Sequence, residues 1–218
     1  MLLDALMWTI GNWKTMQSAI ERHLLMSGIS LAIAFLIGVP LAIAITRSRI
    51  AAAIAINVVN SLRAIPSLAI LAAALPVLGI GLWPSVIALV VLALPPILLN
   101  TYVGLREVDA DILEAATGMG MTRGQILRRV QIPLAAPAMF AGMRTAAIQV
   151  ISGAVLASFI GGGGLGDFVT AGIAIMDVPR LLAGAVPIAL LALGVEAGLG
   201  LMERRFFGAA DEGNRTTQ

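Results

Sequence analysis

The sequence predicts an all-α integral membrane protein with about five transmembrane helices, its N-terminus outside and its C-terminus in the cytoplasm. Three observations carry that expectation. Hydrophobic residues make up 59% of the 218 and charged residues 12%, with mean hydropathy +0.98; soluble domains sit near 45–50% apolar and ~25% charged. The excess is gathered into runs close to the ~20 residues needed to cross a bilayer. The arginines fall mainly between those runs. Length fits one domain.

The elements follow in order. Residues 1–23 read as an extracytoplasmic or interfacial segment. Asp4 stands where a signal peptide would be basic, and Trp8 and Trp13 suit a helix at the membrane surface. The transmembrane domain is expected over 24–207. Its first span is Leu24 to Ile45. Its second runs from about Ala51 to Leu78, interrupted by Arg63 and Pro66, and its third is Trp83 to Leu105, with Pro95 and Pro96 inside. The fourth is about Leu134 to Phe159 and the fifth about Leu181 to Met202. Between these two, Phe168 to Asp177 is apolar but half the spanning length, so it is expected to be re-entrant or interfacial. Residues 208–218 form a polar tail, expected to be flexible and cytoplasmic.

Orientation follows from the cations. N-out places Arg47, Arg49, Arg106, Arg123, Arg128, Arg129, Arg204, Arg205 and Arg215 inside, against Lys14, Arg22 and Arg180 outside. The segment 107–137 then becomes a cytoplasmic loop. Within it, Asp111 with Glu114 resembles a capping arrangement for one short helix, and Thr122 with Gln125 fits a capping box for a second. Gly118 and Gly120 end the first helix, and Pro133 and Pro137 stop the second. Ala115, Ala116, Gly118 and Gly120 let another surface approach closely. Ile126, Leu127 and Val130 give the second helix an apolar face opposite Arg123, Arg128 and Arg129.

The spacing Glu114-Ala115-Ala116, then Gly120, then Val130-Gln131-Ile132-Pro133 resembles the EAA loop of ABC importer permeases. AIPSLAIL (64–71), PVLGIG (76–81), LPPILLNTYVGLREVD (94–109) and FIGGGGLGDFV (159–169) are similar to the permease subunit of osmoprotectant importers, which take up glycine betaine, choline, carnitine or related compounds. The resemblance spans about Leu24 to Phe206. It implies a type I ABC importer permease fold and a multi-pass place in a prokaryotic inner or plasma membrane. It also implies docking of the EAA loop on a separate ATPase, through Glu114, Ala115, Ala116, Gly118, Gly120, Arg123, Ile126 and Pro133. The partners implied are two ATPase subunits that bind ATP and Mg, a second permease subunit, identical or paralogous, and an extracytoplasmic binding protein.

Other sites are weaker. Gly161, Gly162, Gly163 and Gly164 lie in a G-x-G-x-x-G pattern that lacks the strand a dinucleotide site requires. They read as an outer gate or hinge, or as a passive turn, with Asp167 capping the short segment after them. Arg63, roughly 14 Å along the second span, sits beside Asn60 and Pro66. These form either a polar stretch of the passage or an ion pair, with Glu196 as partner. Arg144 is expected to snorkel. Asn100 and Tyr102 are further pathway candidates. The spans hold too few aromatics for a cation cage, so substrate choice is expected to reside in the external receptor.

Several classes are disfavoured. The only lysine, Lys14, does not complete a Walker A pattern, so this chain has no P-loop and is a transport subunit, not an enzyme. There are no cysteines, and His23 is the only histidine, read as a juxtamembrane residue; no metal site is expected. The arginines form no aromatic-interleaved stripe for nucleic acid, and the remaining surface faces lipid. The alternatives are an ABC importer permease for another small solute, such as an amino acid or amine, an ion-coupled secondary transporter, or a structural membrane subunit. A secondary transporter would call for internal repeats and buried acids, and Glu196 is the one candidate acid inside a span.

Overall fold

A computed structural model describes residues 2–207, and the predicted tail 208–218 lies outside the described residues. Among the described residues every regular element is helical. The α-helices are α1 (Leu2–Gly11), α2 (Trp13–Ile45), α3 (Arg49–Ala64), α4 (Ser67–Leu78), α5 (Leu82–Arg106), α6 (Ala110–Gly118), α7 (Arg123–Ile126), α8 (Ile132–Gly153), α9 (Gly166–Ala174) and α10 (Val178–Phe207). Four helical stretches are long and apolar enough to cross a membrane, beginning at Trp13, Leu82, Arg123 and Val178. The pair α3–α4, bent by 99°, makes a fifth if it is one broken span.

The connections show that it is. The C-terminal part of α2 meets the C-terminal half of α5, where Ala42, Ile45 and Leu98 share one buried cluster with Tyr102. α3 starts at that end. α4 leads to Gly81, whose N–H donates to Ile160 O at 2.8 Å at the opposite end of the bundle. The broken pair therefore carries the chain across once. The break falls where expected: Ile65 is extended (φ −77°, ψ 127°), as a residue before proline prefers, and Pro66 then leads into α4.

α2 begins eleven residues earlier than the apolar run, at Trp13 instead of Leu24. Hydropathy misses the extension because only one face of it is buried, in a stretch that is otherwise polar. Met16, Ala19, His23 and Met26, spaced by three or four, are buried, while Thr15, Gln17, Ser18, Glu21 and Arg22 are exposed. α1 packs against α10, and Trp8 meets Phe168 edge-on at 5.3 Å. The half-length segment after the glycines becomes α9, nine residues packed on α10, which is too short to span.

The core is the crossing of α5 with α2 and α8. Its buried cluster joins Met26 and Ala34 of α2, Val86, Leu89, Ala93 and Ile97 of α5, and Ala146 and Val150 of α8. Small residues set the approach of α5 and α8. A Cβ on Gly104 would lie 2.7 Å from Ala138 Cβ, and one on Gly142 2.7 Å from both Asn100 Cβ and Pro96 O. Helices in lipid gain little from hydrophobicity against one another, so this close packing is what joins them.

Gly142→Ala should therefore destabilise the protein by about 1–3 kcal/mol, the usual range for overpacking. Gly194, with open space around it, should accept alanine without loss. Melting temperatures of the two detergent-purified variants test this; equal values would show that the crossing is not close-packed.

Candidate functional site: a docking loop and a clamped turn

The loop between α5 and α8 is built by its caps. Asp109, rather than the predicted Asp111–Glu114 arrangement, caps α6: its carboxylate accepts from Asp111 N at 2.9 Å. α6 closes with Gly120 N–H donating to Thr117 O (2.9 Å) and Met121 N–H to Ala116 O (3.2 Å). That paired pattern needs a left-handed residue just past the helix, and Gly120 supplies it at φ 79°. Gly118 is the last helical residue and not the terminator. Space above both glycines is open within 4 Å. Glu114, Ala115, Gly118 and Gly120 are exposed, whereas Ala116 is buried.

The capping box on α7 forms as expected. Thr122 N donates to Gln125 Oε1 at 2.7 Å, and Gln125 N to Thr122 Oγ1 at 3.4 Å. Pro133 and Pro137 do not stop the second helix of the loop. α7 runs through a π-helical turn, Leu127–Gln131, directly into α8. The reason lies in proline's needs: it lacks an N–H and crowds the carbonyl four residues back, and a widened turn immediately before Pro133 accommodates both. Pro133 is exposed at the start of α8. Ile126, Leu127 and Val130 are half-buried, and Arg123, Arg128 and Arg129 lie along the same stretch, so the two faces read from sequence are present.

Within the spans, Arg144 does not snorkel alone. It bridges α8 to α10 through Glu196 (3.2 Å) and Glu203 (3.2 Å). Glu196 is thus the partner of Arg144 and not of Arg63. Arg63 lies exposed in the last turn of α3 before the break at Pro66, with Asn60 exposed one turn earlier. Asn100 and Tyr102 are half-buried packing residues of α5. Asn100 Nδ2 donates to Pro96 O at 2.8 Å, and Tyr102 lies against the Ala42–Ile45–Val59–Leu98 cluster.

At the other end of α8 a 3-10 turn, Leu156–Ile160, leads into the four glycines. Gly161, Gly163 and Gly164 have φ of 71°, 77° and 90°. A Cβ on Gly162 would collide with Ser85 Oγ, and one on Gly163 would meet Arg22 Nε at 2.8 Å. Arg22 Nε–H donates to Gly162 O at 2.8 Å. His23, expected beside the membrane surface, is fully buried inside the protein, and its Nε2 lies 3.0 Å from Ile151 O, tying α2 to α8. The glycine segment is thus clamped between α2 and α5. Asp167 does not cap α9; Leu165 holds that position, and Asp167 lies exposed in the first helical turn. Among the described residues no group of His, Asp and Glu could hold a metal ion.

Residues 9–208 match the family described as the inner membrane component of binding-protein-dependent transport systems. The chain belongs to that family. It is 43% identical over 184 residues to a choline transport system permease protein of Bacillus subtilis, covering 84% of this chain and 85% of that one. A carnitine transport permease protein of Listeria monocytogenes is 45% identical over 184 residues, 84% of each chain. An osmoprotectant import permease protein of Salmonella typhimurium is 38% identical over 187 residues, 85% of this chain and 79% of that one. Among solved structures, the inward-facing MetNI methionine ABC transporter superposes with a TM-score of 0.80 at 25% identity, covering 92% of this chain and 97% of the other. The fold is that of a type I ABC importer permease.

What the sequence did not reveal in this permease was the clamp. Arg22 counted only as an outer positive charge, and its partner lies 140 positions away. The signal available was the Met16–Ala19–His23–Met26 period, which extends α2 to the glycines. Gly162→Ala should loosen this end, exposing the peptide between Ile160 and Leu165 to added protease while the α7–α8 junction stays protected. Unchanged cleavage would show that the turn is not held by its packing.

Proposed function

We propose that this permease forms half of a passage for a small osmoprotectant of the glycine betaine, choline and carnitine class. It is paired with a second permease subunit in a prokaryotic inner or plasma membrane. The N-terminal segment faces outward and the EAA loop faces the cytoplasm. Two ATPase subunits, holding ATP and Mg, dock on that loop. An external binding protein delivers the substrate and sets most of the preference, and the spans conduct. The named substrates of the relatives support the class. The placement of the glycine turn and the loop at opposite ends of α8 supports the topology.

One observation carries the coupling role. The exposed face of α6, Glu114-Ala115 with Gly118, is followed by a helix continuous with a transmembrane span. A partner gripping α6 and α7 would push on α8 without an intervening flexible link, which suits a rigid-body change. Glu114 offers a charged anchor, Arg123 extends the contact, and Gly120 leaves space for the partner's backbone.

Gly120 allows shape to be separated from backbone strain. Asparagine tolerates the left-handed conformation that leucine resists. If docking needs the empty space, Gly120→Asn and Gly120→Leu should both assemble in the membrane, and both should lose at least about tenfold in receptor-stimulated uptake, since 1.4 kcal/mol of lost coupling corresponds to that factor. Uptake and ATP hydrolysis are measured together in proteoliposomes. Normal uptake by both variants would remove the loop from the coupling mechanism.

A further inference from the structure

A cleft of about 590 Å³ opens beside the glycine turn, walled by three separate parts of the fold. α2 contributes Thr15, Ser18 and Arg22; α9 contributes Asp167 and Phe168; α10 contributes Arg180. Its charge is unusual for a chain with so few ions. Two guanidinium groups and one carboxylate line it, and among the described residues the ion pairs are those of Arg144 with Glu196 and Glu203, so the three are not spent on one another.

Both arginines are held in place. Arg22 is fixed by its Nε–H bond to Gly162 O. Arg180 stands over the Trp8 ring at 5.9 Å, and its own N–H bonds to Asp177 Oδ1 at 3.2 Å. Its Nε–H is buried and has no acceptor among the described residues. Arg180 as a whole is half-buried, and a guanidinium held partly out of water is favoured by an oxygen anion beside it. Guanidinium presents its donors as a planar fork matched to carboxylate. The exposed carboxylate of Asp167 suits the opposite end of such a ligand, a nitrogen cation.

We infer that this cleft is a low-affinity receiving site for a small zwitterion carrying a carboxylate and a cationic nitrogen, with Arg22 and Arg180 taking the carboxylate and Asp167 the nitrogen. The inference rests on the proposed transport function and adds a preference to it. The receptor would supply tight binding, and the cleft would discriminate a ligand with a carboxylate from one lacking it. Weak binding is required here, because a site on the passage that held its cargo tightly would release it slowly.

The test uses the assembled permease–ATPase complex in lipid nanodiscs without binding protein, and radiolabelled glycine betaine and choline as probes. The intact complex should bind glycine betaine about tenfold more tightly than choline, the worth of one charge-assisted bond pair. Arg180→Gln should bring the two to parity, Arg180→Lys should restore part of the difference, and Asp167→Asn should weaken both probes. Melting temperatures check that the variants fold. Equal binding of the probes by the intact complex, or no binding, overturns the inference. So does a result in which the arginine variants keep the difference between the probes and, in a second arm with binding protein added, lose only affinity for that protein, which would make the arginines a protein contact. Uptake by the intact complex with its binding protein is measured in parallel; its success or failure reports on the transport function independently.

Discussion

Where α5 crosses α8, the two backbones approach too closely for a Cβ at Gly104 or Gly142. In a bilayer, where apolar side chains find lipid as favourable as one another, such close contact is what holds helices together. The rest of the permease is arranged around that crossing. α2 packs into the same cluster through Met26 and Ala34, and α10 is fastened to α8 by Arg144 with its two acids. An arginine among spans is costly alone. Paired across two helices, it ties α10 to the helix that leaves the EAA loop.

This arrangement gives α8 two working ends. One end emerges without interruption from α7 through the π turn; the other leads into the 3-10 turn and the clamped glycines. Glycine is required at the second end for conformation at Gly161, Gly163 and Gly164 and for space at Gly162. A turn held this tightly by Arg22 and Ser85 suits a joint with discrete positions better than a slack loop. The same arginine lines the cleft beside the turn, so the inferred ligand site and the position of the turn meet on one side chain.

Composition and run length made the helical membrane fold legible, and the spacing of Glu114, Gly120 and Pro133 marked the loop of short helices between α5 and α8, because both signals are local. The Thr122–Gln125 box was readable for the same reason. Pro133 misled because proline's effect depends on whether the preceding turn can widen, which no short pattern encodes. The start of α2 was misplaced because the helix continues beyond the apolar run on one buried face. The partner of Arg144 and the bond from Arg22 to Gly162 join residues 52 or more positions apart. Only the packing of α2, α8 and α10 brings them together.

The central claim is that the EAA loop and the glycine turn are mechanically joined through α8. Hydrogen exchange of the assembled complex, with and without a non-hydrolysable ATP analogue, tests it directly. The account predicts that protection changes in 110–131 are accompanied by changes in 156–166, at the far end of the same helix. A change confined to the loop, with the glycine segment unaltered, would contradict it.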